Sequence, residues 1–305
     1  MRNLRNKYFL IIILGILMVL IIVGGIFCRS SGFGVRKSAD TEDFSKDANY
    51  ENRKFPSNEV DFSGMVINDN VVEGLKYKEN LVSKYTTLKE QTVYTVGTLH
   101  NGHFKRNQNY SLKDLESLLD NLNPDYIFIE AREETLEVYD VIDGPIEMIY
   151  AYSYGLEQDI PVRLIDYWKI DNNIITNYSD DSRDNQIFYN INEKLEEIEE
   201  EKTIVVLYGA SHYFFQKPRI ELAGWREEKI DSIKDLFQSD TDEFTYPEDM
   251  ESVIDKKTDY AQNIIPKIAK ENITDQKVLD DFLKDDMKEA LENYKKIVSE
   301  NRLYN

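Results

Sequence analysis

A chain of 305 residues with a formal charge of −20 and a single cysteine is long enough for one sizeable core of about 200 residues plus appendages. The charge is uneven, because residues 1–37 carry six Lys or Arg and no acid, which leaves −26 on the rest. That acidic body repels nucleic acid and anionic lipid surfaces, and a lone Cys28 excludes an internal disulfide and a cysteine zinc site.

In chain order, residues 1–7 form a basic N-terminus with Arg2, Arg5 and Lys7, and residues 8–28 are almost uniformly apolar. About 20 such residues suffice to cross a bilayer as a helix, so 8–28 is expected to be a transmembrane signal anchor. A cleaved signal peptide has a shorter apolar region and an A-x-A-like cut site, and none follows here. The basic residues ahead of the span favour a cytoplasmic N-terminus and a single-pass cell-membrane protein with an extracytoplasmic body. Residues 29–65 are polar without sustained periodicity and read as a disordered linker. An α/β domain is expected over 66–240 and a helical C-terminal extension over 241–305.

Within 73–91, "EGLKYKENLVSKYTTLKEQ", the spacing predicts a short helix with a narrow apolar face. From residue 92, β-branched and aromatic runs alternate with segments of helical spacing. The strands are 92–96, 126–130, 162–166 and 203–208. The helices between them are 111–122 with Ser111 as N-cap, 144–159 and 182–201. The order β-α-β-α-β-α-β predicts an α/β fold with a mainly parallel or mixed sheet flanked by helices, and the continuous apolar strands predict burial on both faces. Two further helices are expected over about 248–271 and 275–300, with Leu279, Phe282, Leu283, Met287, Ala290, Leu291 and Tyr294 on one face docked against the core.

Each predicted strand ends on a group able to do chemistry. After the first comes Gly97-Thr98-Leu99-His100, with His103 three residues on. The second closes with Glu130, the third with Asp166, and the fourth with Gly209-Ala210-Ser211-His212. In an open parallel sheet the ligand site lies outside the carboxyl ends of the strands, so these groups are expected to converge. Two imidazoles and two carboxylates suit a divalent ion. His103 joins His100 as a ligand only if a helix begins there. The chain has no P-loop, no HExxH and no G-x-S-x-G around a serine.

These residues carry a resemblance. The ordered stretch "VYTVGTLH", "NPDYIFIEARE", "GPIEMIYAYSYGLEQDIPVRLID", "SRDNQIFYNINEKL" and "IVVLYGASHYF" resembles the TraB/Tiki superfamily, with its TraB and PrgY pheromone-shutdown and GumN-like members and its more distant erythromycin-esterase-like and ChaN-like members. The likeness spans about residues 92–235. It maps the family motifs onto Gly97 and His100, Glu130 and Arg132, Glu147 and Ala151, Asp166, Arg183 and Asp184, and Gly209 and His212. It implies a membrane-anchored, divalent-metal-dependent hydrolase of peptidase type, using Mn²⁺, Co²⁺ or Zn²⁺ and acting on a secreted or surface peptide. His100, Glu130, His212 and His103 are then the candidate metal ligands. Glu130, Asp166, Glu147 and Arg183 are the candidate catalytic groups, with Asp166 or Glu147 as orienter of a histidine or general base. Arg183 is either a substrate clamp or a buried salt bridge to Glu130 or Asp166. Two other functions stay open: a histidine-base esterase without metal, acting on a small ester, and a surface protein that sequesters a peptide without cutting it. The resemblance does not extend to the acidic C-terminal helices.

Overall fold

In the computed structural model the described residues are 77–305, apart from 169, 172, 173, 176–180, 240, 285 and 286. The basic N-terminus, the expected anchor 8–28 and the linker 29–65 lie outside them. Among the described residues no helix is long and apolar enough to cross a membrane.

All four expected strands form. They are β2 (Thr92–Thr98), β3 (Tyr126–Ile129), β4 (Val162–Leu164) and β7 (Thr203–Gly209), joined by β1 (Val82–Thr86) and β8 (Arg226–Glu228) in a six-stranded sheet of order β4-β3-β7-β2-β1-β8. A separate two-stranded ribbon pairs β5 (Ile170–Asp171) with β6 (Ile174–Ile175). β2, β7, β3 and β4 run parallel to one another, whereas β1 is antiparallel to both β2 and β8. The sheet is therefore mixed. β7 lies at its centre, and Ile204 to Tyr208 are completely buried, as a strand covered on both faces requires.

The antiparallel edge corrects the helix expected over 73–91. Lys78–Leu81 is a short 3-10 turn and Val82–Thr86 is β1. Lys and Glu on either side give the stretch helical propensity, but "VSKYT" also alternates. Pairing with β2 buries Val82 and Tyr85, and Tyr85 meets Trp225 edge-on at 6.3 Å. Tertiary burial outweighs a propensity difference of a few tenths of a kcal/mol per residue.

The helices are α1 (Leu112–Leu122), α2 (Glu133–Tyr139), α3 (Ile146–Glu157), α4 (Asp181–Glu196), α5 (Ala210–Leu222), α6 (Met250–Asp259), α7 (Ile265–Asn272), α8 (Gln276–Leu283) and α9 (Met287–Ser299). α1 starts where its sequence says. The Ser111 hydroxyl accepts from the Asp114 N–H, the Asp114 carboxylate accepts from the Ser111 N–H at 2.7 Å, and the two close a capping box. Leu112, Leu115, Leu118 and Leu119 are fully buried at the i, i+3, i+6, i+7 positions of one helix face, and burying each contributes about 1.5–3 kcal/mol.

The described residues belong to one unit, Phe55–Asn305, and the C-terminal helices are part of its core. A π-helical turn, Tyr260–Ile264, joins α6 to α7. From α9, Leu291, Tyr294, Ile297 and Val298 enter the main core, whereas Leu279 of α8 packs with Ala269 and Ile273 in a cluster of their own. The single apolar stripe expected over 279–294 is thus divided between two cores.

α6 also buries a lysine. Lys257 donates to the Gly144 carbonyl, and burial outweighs the pull of Asp143 and Glu147, bringing its ammonium down from 10.5 to about 8. Between those two values the unfolded chain holds a proton that the folded chain has released, so this group makes stability rise with pH across the window, by about 3 kcal/mol in full. Buried Tyr85, pushed up to about 12 by burial, acts in the opposite sense above pH 10. Comparison with Lys257→Met therefore isolates the lysine: the stability of the native chain relative to the variant should climb from pH 8 to 10.5. Parallel thermal-melting curves would refute it.

Candidate active site

The carboxyl ends of β2, β3, β4 and β7 bring the predicted groups together. The parallel register sets Thr98 beside Gly209, and the Glu130 N–H donates to the Leu207 carbonyl at 3.1 Å. Glu130 thus follows β3 next to the point where β7 ends and α5 begins. The Gly209 N–H donates to Glu130 Oε2 at 2.5 Å, so a carboxylate sits at the start of α5, where the helix dipole favours an anion.

His100 and His212 are held in the same manner. His100 Nδ1 lies 2.8 Å from Glu147 Oε1, and His212 Nδ1 lies 2.8 Å from Asp184 Oδ1. An ionised carboxylate only accepts, so each Nδ1 carries the proton and each Nε2 is directed away from its orienting acid. His212 Nε2 stands 3.5 Å from Glu130 Oε1. A Cβ placed on Gly209 would lie 2.9 Å from His100 Nε2 and 3.4 Å from Glu130 Oε2, so both side chains pack close to this glycine. Both histidines act on the Glu130 carboxylate electrostatically.

The orienting acids are deeply buried. Glu147 Oε1 accepts from the Thr98 hydroxyl at 2.6 Å and from the His100 N–H at 3.3 Å as well as from the ring. Its Oε2 is buried without a hydrogen-bond partner among the described residues. His100 adopts φ = 50°, the left-handed region that costs a non-glycine residue about 1 kcal/mol or more, and its two contacts to Glu147 hold it there. Asp184 Oδ1 accepts from Gln216 at 2.8 Å as well as from His212.

Arg183 lies beneath the site and is 1% exposed. It donates to both oxygens of Asp166 at 2.8 and 2.7 Å and to Glu130 Oε1 at 3.0 Å. Of the two roles open for it in the sequence, the geometry is that of the buried salt bridge. Asp166 meets Arg183 and the Tyr167 N–H, not a histidine, so it does not orient one; that work falls to Glu147 and Asp184. Asp184 appears in the sequence motif without a role, and only the packing of α4 against α5 assigns it one. Arg132 turns away from the site, donating to Asp143 at 2.6 Å and to the Tyr260 hydroxyl at 3.1 Å, with Trp168 3.7 Å below its guanidinium.

His103 stays apart from the cluster. The turn that begins at His100 is a 3-10 turn, His100–Phe104, and His103 points into the core. Its Nε2 accepts from the Leu99 N–H at 3.0 Å and its Nδ1 donates to the Tyr110 carbonyl at 3.0 Å. Both ring nitrogens are committed to backbone, and burial lowers its pKa, so it is a neutral packing histidine and the expectation that it ligates a metal is corrected.

The electrostatics follow the geometry. Burial opposes charge at His100, His212, Glu147 and Glu130, yet the pairings prevail there, whereas at Asp166 burial outweighs Arg183 and raises the carboxyl. Glu130 and Asp184 push His212 up to about 10 against burial, and Glu147 raises His100. Burial would raise Glu147, but His100, His103 and Thr98 bring it down to about 2. Glu130 is held well below the usual carboxylate range by His212, Arg183 and His100 despite its burial. Imidazoles and carboxylates thus alternate through an enclosed cluster. Its opening to solvent is at His100, whose side chain is 47% exposed, while Glu130 and His212 are each 2% exposed.

Among the described residues no group of three or more His, Cys, Asp or Glu side chains is already gathered as a metal centre. The donor types are those a divalent ion takes, two carboxylate-oriented imidazoles and a carboxylate, which suit Zn²⁺, Mn²⁺ or Co²⁺. No protein-family model, no curated protein and no solved structure matches this chain.

Proposed function

We propose that the cleft at the ends of β2, β3 and β7 is the centre of a divalent-metal-dependent hydrolase, acting on the amide carbonyl of a secreted or surface peptide, in a chain anchored to the membrane by residues 8–28. The observation that carries the reading is the matched pair of histidines, each fixed at Nδ1 by a buried carboxylate and both acting on Glu130, with His212 Nε2 3.5 Å from its Oε1. His100, His212 and Glu130 would hold the ion. The chemistry it brings when bound is Lewis acidity toward a carbonyl and a lowered pKa for water.

The chain's own residues do the rest. Glu147 and Asp184 fix the ring tautomers and keep both imidazoles aimed inward. Arg183 keeps Glu130 ionised, and Asp166 balances the guanidinium so that the site is not left with a net buried cation. Gly209 has no side chain, which lets the His100 ring pack directly against its backbone; a Cβ there would come within 2.7 Å of that ring. His100, at the mouth, is where substrate arrives.

A second reading rests on the same exposed histidine. His100 with Glu147 is a dyad with Nε2 free to act as a base, as ester hydrolysis without metal requires. The full chain, purified in mild detergent, stripped with chelator and resupplied with Mn²⁺, Co²⁺ or Zn²⁺, separates the readings. Metal-dependent peptide cleavage, lost in His100→Ala, Glu130→Gln and His212→Ala, is the expected result. Ester turnover that survives chelation but not His100→Ala would establish the dyad instead. Peptide binding without turnover, unaffected by His100→Ala, would make the protein a sequestering one.

A further inference from the structure

α3 carries more than Glu147. Tyr150 and Tyr154, about one and two turns further along, face a separate cleft of 290 Å³ that shares no residue with the histidine site. Its walls are α1, the end of α3, Ser239 and residues 241–247, and its rim holds the carboxylates of Glu116, Asp120, Glu157 and Glu243. No Lys, Arg or His is among its described lining residues. Lys113, one turn back on α1, offsets part of the charge felt by Glu116 but does not line the cleft.

An acidic rim alone is only a solvated surface. The distinguishing feature is the floor. Tyr150 is fully buried, its hydroxyl has no hydrogen-bond partner among the described residues, and the residue lines the cleft. Glu116, Asp120 and Glu157 all act on that phenol electrostatically. The Tyr154 hydroxyl is already taken, donating to Asp120 at 2.6 Å. Phe244 stacks on Tyr150 with ring centroids 6.3 Å apart, so one wall is aromatic. An unsatisfied buried hydroxyl costs stability, and crowding costs more: burial and then Asp120 raise Glu116 to about 7. Both costs are relieved by the same event, the arrival of a positively charged donor.

We propose that this cleft binds an organic cation, an alkylammonium or guanidinium head group such as a basic side chain or a small polyamine carries. Its N–H groups would donate to the rim carboxylates and to the Tyr150 oxygen, and its charge would lie against the tyrosine and phenylalanine rings. The volume is at the low end of ligand pockets, which run from about 300 Å³, and so suits a single head group and its stem. A bare metal ion is the weaker fit, because the carboxylates are not gathered at coordination spacing and Tyr150, Tyr154 and Phe244 give the lining aromatic faces.

The test is calorimetric titration of the full chain with agmatine and with N-acetyl-lysine amide, using the uncharged N-acetyl-norleucine amide and CaCl₂ as comparisons. Saturable one-to-one binding of the two cations, and none of the neutral analogue, is expected. Glu116→Gln and Tyr150→Phe should each weaken it at least tenfold. Tyr150→Phe removes only an unpaired hydroxyl, so its melting temperature should hold or rise, and the lost affinity then reports the site and not the fold. Absence of binding, binding indifferent to both variants, equal binding of the norleucine analogue, or Ca²⁺ binding abolished by the same variants would each overturn the proposal.

Discussion

Arg183→Met should destabilise the folded domain by about 3–5 kcal/mol, the range for breaking a buried ion pair from one side. The guanidinium is 1% exposed and serves two carboxylates at once, with both oxygens of Asp166 and Oε1 of Glu130 as acceptors. Removing it strands two buried acids. Lysine should not rescue the loss, because an ammonium is a point charge and cannot span the two carboxylates as a planar fork does. The measurement is the urea midpoint with the slope unchanged. Adding Asp166→Asn to Arg183→Met should recover part of the loss, since the two groups interact directly and their effects are not additive. A midpoint shift worth less than about 1 kcal/mol would mean that the two carboxylates do not depend on Arg183 for their ionised state.

The second large effect is on metal affinity. Asp184→Asn keeps the oxygen that accepts from His212 Nδ1 and from Gln216 but removes the negative charge behind the imidazole. Loss of such an orienting group lowers metal affinity by about 10–100-fold, and Glu147→Gln should do the same through His100. Stability should move far less than in Arg183→Met, because the hydrogen-bonded shape is retained. Mn²⁺ titration of both variants beside the native chain is the check. Native affinity in both would leave the paired carboxylates as fold elements alone and remove the main support for a metal centre.

The two effects separate what holds the cluster from what aims it. Arg183 and Asp166 lie behind Glu130 and make its buried charge tolerable. Glu147 and Asp184 lie behind the histidines and set which nitrogen faces the cleft. Glu147 Oε1 takes three donors while Oε2 takes none among the described residues, so this carboxylate is committed to one direction.

Much of the fold could be read locally because the signals were local. Ser111 with Asp114 closes a capping box within four residues, and the apolar runs at 126–129 and 203–208 match the two innermost parallel strands. The edge of the sheet was not legible in the same way. "VSKYT" sits between Lys- and Glu-rich stretches, and only its pairing with β2 and β8 decides strand over helix. β8 itself, "REE", has three charged residues and no apolar pattern, yet it pairs with β1 because its backbone completes that edge.

The sequence by itself determined that His100, Glu130, Asp166 and His212 fall at strand ends, and chain order in a parallel sheet carries strand ends to one place. It could not determine which nitrogen of a histidine faces which acid. His100 and His103 are three residues apart, yet one turns to Glu147 and the cleft while the other is locked between the Leu99 N–H and the Tyr110 carbonyl. Nor could it divide four acids into one that faces the histidines, two that orient them and one that neutralises an arginine. Those roles depend on side chains brought together across gaps of 17 to 82 residues. Ion pairing in a buried site changes over a few ångströms, a scale that only the packed tertiary structure sets.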